Sequence, residues 1–391
     1  MTANVQLFLL WLLVTLAFYW FIPPAALTWR KLTLVLASLI LIYAVAPWAL
    51  AIAALVTALC WGWCRWHHRW RLPFKQVTAA LTLLLPLIAV KLLFVFSDIQ
   101  DTRAYLLVSL GLGFYTLKSI AVALDAMQNP RPVRLSNLLL LNYFFPIFSA
   151  GPVERLESFS DEALSAPMRW ADLGAGAARI AVGLFKASFV ADALIDEWSR
   201  ATWPEIVDNP GSYSAAELFV FVLSRFVYTY VNFSGYMDIA VGAGRVFGLR
   251  IMENFNLPIL ASNIQDFWKR WHISLGNFVT RYVFFPLLLT FRFRAGPQLA
   301  IFLSFVMVGL WHEFTVNYLA WGVLHGAGLA LVVTLGRWKS PRYRRVRAFA
   351  SYRLLAWAVT IFYVSWVQTL ANLPGGKQAL ALTLGLLGVS R

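Results

Sequence analysis

The chain has 391 residues and 33 Lys and Arg against 18 Asp and Glu, a net charge of +15, yet 60% of it is hydrophobic and only 13% is charged. A soluble domain carries about 25% charged residues, so this composition excludes a disordered chain, a coiled coil and a disulfide scaffold, and points to a protein embedded in a bilayer. Its 18 Trp fit rings anchored at lipid interfaces, and its basic excess reads as cytoplasmic loops rather than a nucleic-acid surface.

In chain order, Met1 to Trp29 and Leu32 to Cys64 contain no charge. One helical crossing needs about 20 apolar residues, so the second run, with Pro47 near its middle, reads as two crossings. The N-terminal stretch lacks the basic region that precedes the apolar core of a cleavable signal. Arg30 and Lys31 follow the first span, which predicts a retained helix with its N-terminus outside. Cys60 and Cys64 read as filler of a helix face, and Trp66-His67-His68-Arg69-Trp70 as an interfacial anchor.

Hydropathy predicts spans near 5–22, 32–46, 48–64, 77–97, 104–125, 173–195, 215–235, 299–317, 319–336, 351–370 and 378–390. Charge sidedness agrees with that order. Arg30/Lys31, Arg65/Arg69/Arg71/Lys75, Arg131/Arg134, Arg245/Arg250 and the run from Arg337 to Arg347 all fall on the cytoplasmic side. Asp98, Asp101, Asp196, Glu197, Glu205 and Asp208 fall outside, and the C-terminus is cytoplasmic. Leu138–Ala150 and Phe278–Phe291 are short, hold Pro146 and Pro286, and read as re-entrant or interfacial segments beside a cavity. The expected fold is an all-α polytopic membrane protein of about eleven transmembrane helices plus re-entrant helices. It forms a single membrane domain over 1–391, without internal repeats.

Two histidines fall inside predicted spans. His312, in Val308-Gly309-Leu310-Trp311-His312, has about five residues of its span left, roughly 8 Å of helix. His325, in Trp321-Gly322-Val323-Leu324-His325-Gly326, is expected at a comparable depth on the next helix. An ionisable residue inside a span is by default a functional-site candidate, set against a hydrogen-bonding tie between helices. A neutral imidazole suits a general base that activates an alcohol. It suits a metal less, because no second ligand stands at metal spacing except Glu313. A third polar concentration runs from Glu253-Asn254-Phe255-Asn256 to Asn263 and on through Asp266-Phe267-Trp268-Lys269-Arg270-Trp271-His272-Ile273-Ser274. It reads as an amphipathic surface helix capped by Asn263, with Trp268, Trp271 and Leu275 on one face and His272 beside them.

Taken together, these stretches resemble the bacterial branch of the membrane-bound O-acyltransferase (MBOAT) family, with an MBOAT-like core over about 105–336. The resemblance is carried by Gly111-Leu112-Gly113-Phe114-Tyr115-Thr116, Gly151-Pro152-Val153-Glu154-Arg155 and Asn232-Phe233-Ser234-Gly235-Tyr236-Met237-Asp238. It continues through Glu253-Asn254-Phe255-Asn256, Trp271-His272-Ile273-Ser274 and Gly309-Leu310-Trp311-His312. It implies a ring of helices around a thin centre, and transfer of an acyl group from a cytoplasmic thioester to a hydroxyl outside or within the membrane. His312 matches the family's essential histidine and His272 its second motif histidine. Glu313 stands where the family often has Gly.

On the acyl-transfer reading Trp268, Trp271, Ser274, Asn254, Asn256, Asp238, Trp311, Glu313 and His325 are expected to line the substrates, with Lys269, Arg270 and Arg245 toward donor phosphates; Asp238, near a span end, has a structural role as its alternative. Asn254 and Asn256 are the candidates for oxyanion donors. The donor is acyl-CoA or a phosphopantetheinyl acyl-carrier protein, with no bound cofactor and no metal. Acetyl is favoured over D-alanyl transfer to a teichoic-acid-type polymer. The acceptor is an extracytoplasmic polysaccharide or a partner acyltransferase, at the bacterial inner membrane. The rival from another class is a transporter or flippase, for which the missing internal repeat speaks against.

Overall fold

The computed structural model describes residues 2–70, 72, 74–96, 102–129, 132–148, 150–199, 203–336, 346 and 348–389. Among these every regular element is helical, and the one extended pairing is a bridge between Phe255 and Trp271. Apolar runs take this form because backbone at lipid depth must satisfy its own hydrogen bonds. Among the described residues, seven helices are long and apolar enough to cross a membrane: Leu27–Val45, Pro47–Arg69, Lys75–Leu93, Ala215–Val246, Ile273–Thr290, Val316–Gly336 and Ala350–Ala371. Val5–Phe21 and Gly296–His312 are shorter apolar helices.

The two crossings read from the run around Pro47 are separate helices. Ala46 leaves helical geometry at φ −151° and ψ 73°, and Pro47 opens the next helix, where its missing N–H is not needed. Four expectations change. The span expected at 299–317 ends at His312. The one expected at 378–390 is Gly376–Leu386, whose 11 residues rise only about 16 Å. The 173–195 span is Trp170–Leu184 continued by wider i→i+5 turns over Phe185–Asp196. Phe278–Phe291, expected to be short, is the end of a helical run that starts at Ile273 and reaches crossing length. The charges at Arg71, Asp98, Asp101, Arg131, Arg337, Lys339, Arg342, Arg344, Arg345 and Arg347 lie outside the described residues.

The chain divides into two compact units, one of residues 1–183 and 236–253, the other of 184–235 and 254–391. In the first unit, buried polar groups tie helices to loops. The Arg30 guanidinium, 1% exposed, donates to the carbonyls of Ile22, Leu164 and Ala166 and lies over the rings of Tyr19 and Trp20. Glu154, equally buried, accepts from the Met252 backbone N–H at 2.7 Å and from Ser158 Oγ at 2.8 Å. Asp238 pairs with Arg179 at 2.5 Å, and the same guanidinium holds Glu253 at 2.7 Å.

The second unit is built on a helical hairpin, Gly296–His312 and Val316–Gly336, against which Ala350–Ala371 packs. Two glycines let the hairpin arms touch backbone to backbone. A Cβ on Gly309 would stand 2.3 Å from the Tyr318 carbonyl oxygen, and one on Gly322 2.6 Å from that of Phe305. Small residues are what permit such an approach in membranes, where apolar burial supplies no drive.

Candidate active site

The first arm of the hairpin stops at His312. Glu313 turns extended, at φ −156° and ψ 151°, while its N–H still closes the last turn on the Gly309 carbonyl at 3.1 Å. The second arm restarts three residues later, with Thr315 Oγ1 accepting from the Tyr318 N–H as an N-terminal cap. His312 is therefore the last helical residue, half-buried at the hairpin turn, and not five residues inside a span. The hairpin is tight because Gly309 allows the close crossing. A longer first arm would carry the chain past its partner before it could turn.

Aromatic rings surround His312. Trp311 lies 4.7 Å away, Tyr318 stacks at 5.6 Å and 30°, and Trp321 meets it edge-on at 5.5 Å. On the other side of Trp321, at 4.6 Å, stands His325, 2% exposed. The two histidines thus flank one indole, with His325 a further helical turn along the second arm. Trp268 completes this wall, 5.6 Å from Trp321, 5.0 Å from His325 and 4.9 Å from Phe305. Tyr363, from the Ala350–Ala371 helix, closes on His325 at 6.1 Å and donates its hydroxyl to the Leu324 carbonyl at 2.6 Å.

The segment carrying His272 is not one amphipathic helix. Asn263 caps Ile264–Arg270 as expected, its Oδ1 accepting from the Asp266 N–H at 2.8 Å. The helix then breaks. Trp271 is extended, His272 takes the left-handed conformation at φ 47°, and a new helix begins at Ile273. The break comes from the 254–256 segment, which pairs along it: Asn256 N–H to Arg270 O at 2.9 Å, and Ile273 N–H to Asn254 O at 3.0 Å. Asn254 Oδ1 accepts the Ser274 N–H at 3.0 Å, so a side chain twenty positions upstream caps this helix.

Trp268, Trp271 and Leu275 consequently do not share a single helical face. Trp268 joins the His325 wall, while Trp271 stacks with Phe267 at 5.4 Å and Phe226 at 5.8 Å. His272 is buried with its ring 5.1 Å from Phe233, and burial pushes its imidazole down to about 4.

Of the other expected residues, Arg270 is held by Asp266 at 2.8 Å and by the Asn256 carbonyl. Arg245 pairs with Asp172 at 3.2 Å, and Lys269 is exposed. Asn256 is exposed, Glu313 is half-buried beside His312, and Asp238 belongs to the first unit with Arg179. Phe305, Tyr318, Trp321 and Tyr363 were not among the expected site residues. Trp321 and Tyr318 had a local signal in their spacing from His325 and His312, whereas Tyr363 had none.

The model of the membrane-bound O-acyltransferase family matches residues 49–371. The chain is 30% identical, over 67% of its length and 49% of the relative's, to the probable alginate O-acetylase AlgI of Pseudomonas syringae pv. tomato. It is 30% identical to the peptidoglycan O-acetyltransferase of Helicobacter pylori, covering 73% of this chain and 58% of that one. It is 27% identical to the teichoic acid D-alanyltransferase of Bacillus subtilis, covering 65% and 66%. The chain thus spans about half the length of the alginate relative.

Proposed function

The chain belongs to the membrane-bound O-acyltransferase family, and we propose that it moves an acetyl group from a cytoplasmic thioester to a hydroxyl of an extracytoplasmic envelope polysaccharide or of a partner acyltransferase. The observation that carries this reading is His312 at the mouth of an aromatic-walled hairpin, half-buried and ringed by Trp311, Tyr318 and Trp321. The names of the relatives, a probable alginate O-acetylase and a peptidoglycan O-acetyltransferase at 30% identity, support acetyl as the group.

In this reaction His312 takes the proton of the acceptor hydroxyl as its oxygen attacks the thioester carbonyl. The C–S bond then breaks, and the proton passes to the departing thiolate. Positioned acid–base catalysis contributes about 10²–10⁴-fold, and alignment of the two substrates contributes much of the remainder. His272, in its strained left-handed turn, stands on the donor side with Trp268. The donor is acyl-CoA or a phosphopantetheinyl carrier protein, used as substrate, in the bacterial inner membrane.

The test is mild-alkali release of ester-linked acids from envelopes of cells making the wild-type chain, His312→Ala, or none. Acetate falling in His312→Ala to the level without the protein, at normal protein abundance, is the expected result. D-alanine falling instead moves the donor to carrier-borne D-alanyl. Neither acid changing overturns the acyl-transfer reading and favours a transporter.

A further inference from the structure

Acyl transfer needs groups that hold the donor's carbonyl oxygens. Asn254 and Asn256 are poorly placed for it. The Asn254 oxygen caps a helix on the Ser274 N–H, and Asn256 is exposed. A different pair is on offer. Among the described residues, Trp268 Nε1 and His325 Nδ1 are buried and have no hydrogen-bond partner. Their rings meet edge to face at 5.0 Å, so the two orphaned nitrogens are carried by side chains in contact. The surrounding groups do not relieve them: Phe305 has no polar side-chain atom, the Trp321 indole can only donate, and the Tyr363 hydroxyl is already given to the Leu324 carbonyl. A buried polar atom without a partner costs stability and asks for an explanation.

We propose that Trp268 and His325 together receive the amide carbonyl of the donor's pantetheine arm, and so set how deeply the thioester enters toward His312. This rests on the acyl-transfer reading above. An indole N–H only donates, and an imidazole Nδ1 donates in one neutral tautomer. A single carbonyl oxygen, with two lone pairs, satisfies both. The carbonyl held there is not the one attacked. The Trp321 indole stands between the histidines, 5.5 Å from His312 and 4.6 Å from His325. Donors to a reacting oxygen must instead lie about 3 Å from it. In a pantetheine thioester the next carbonyl belongs to the secondary amide beyond the sulfur and two methylenes, about 6 Å from the reacting carbon when extended. One ring's width is the right spacing for that amide.

The experiment uses membranes holding the full chain and two acetyl-labelled donors: S-acetyl-N-acetylcysteamine, which keeps this amide, and S-pentyl thioacetate, which replaces it with methylenes. Label entering alkali-labile esters is counted for wild type, Trp268→Phe, His325→Phe and the double variant, with His312→Ala as background. The wild type prefers the amide donor by roughly ten-fold in kcat/KM, the worth of hydrogen bonds to one group. In each single variant the ratio falls toward one, and the double variant falls no further than the lower single. Using the ratio within each variant removes any loss of folded protein. If the two donors change in parallel, so that the ratio survives, the orphaned nitrogens hold a water or the packing alone, and the inference fails while acyl transfer stands. If the wild type transfers label from neither donor above background, the acyl-transfer reading fails and takes this one with it.

Discussion

His272 carries two constraints at once, a left-handed backbone at φ 47° and a buried ring. His enters that backbone region more readily than most side chains, though the conformation still costs about 1–3 kcal/mol. The pairing of Asn254 and Asn256 with the residues around it is what maintains the turn. Burial holds the imidazole at about 4, whereas an unfolded histidine titrates near 6.5. Below that value the unfolded chain binds a proton that the folded one refuses. His272 therefore contributes stability in full above about pH 6.5, loses it as pH falls toward 4, and contributes no further pH dependence below. The unfolding equilibrium should shift by up to about ten-fold per pH unit inside that window. Denaturant unfolding of purified protein across pH 4–7 checks this: His272→Asn, which tolerates the same backbone, should flatten the slope. Parallel curves for the two proteins would show that the ring does not control it.

The hairpin is the element that fixes His312, and Gly309, three residues before it, is the point where its arms touch. A methyl at Gly309 would sit 2.3 Å from the Tyr318 carbonyl, while one at Gly336 meets nothing within 4 Å. Gly309→Ala should destabilise by about 1–3 kcal/mol, as overpacking does, and lower both folded yield in detergent and ester formation; Gly336→Ala should alter neither. Equal yields for the two variants would remove the close crossing as the determinant. The hairpin also shows what was readable in advance. Its helices followed from apolar runs, and the Asn263 cap from its place ahead of Asp266, since both signals are local. The stop at His312 was not readable, because it depends on a contact with Tyr318 on the returning arm. The break at Trp271-His272 was missed for the same reason, its cause being Asn254 twenty positions away. Tyr363 reaches His325 from a helix with no sequence link to either histidine.

For the whole molecule, the alternation of basic and acidic turns predicts that the hairpin turn faces out of the cell and the 254–274 segment faces the cytoplasm. Thr315 and Ser262 are both exposed, so each can report its side. In intact cells a membrane-impermeant maleimide should modify Thr315→Cys, and Ser262→Cys only after permeabilisation, against the parent's Cys60 and Cys64 background. The reverse pattern would invert the topology. Chain order within the two units carries a consequence for biogenesis. The first unit lacks its 236–253 segment until residues 184–235, which belong to the second, have already left the ribosome. The first unit cannot be finished before part of the second has been made, so the two halves are not built strictly one after the other. The early helices of the first unit stay without their closing segment until residues 236–253 follow. A translational pause placed before residue 236 would prolong that exposed stage, whereas one placed after residue 253 would find the first unit complete.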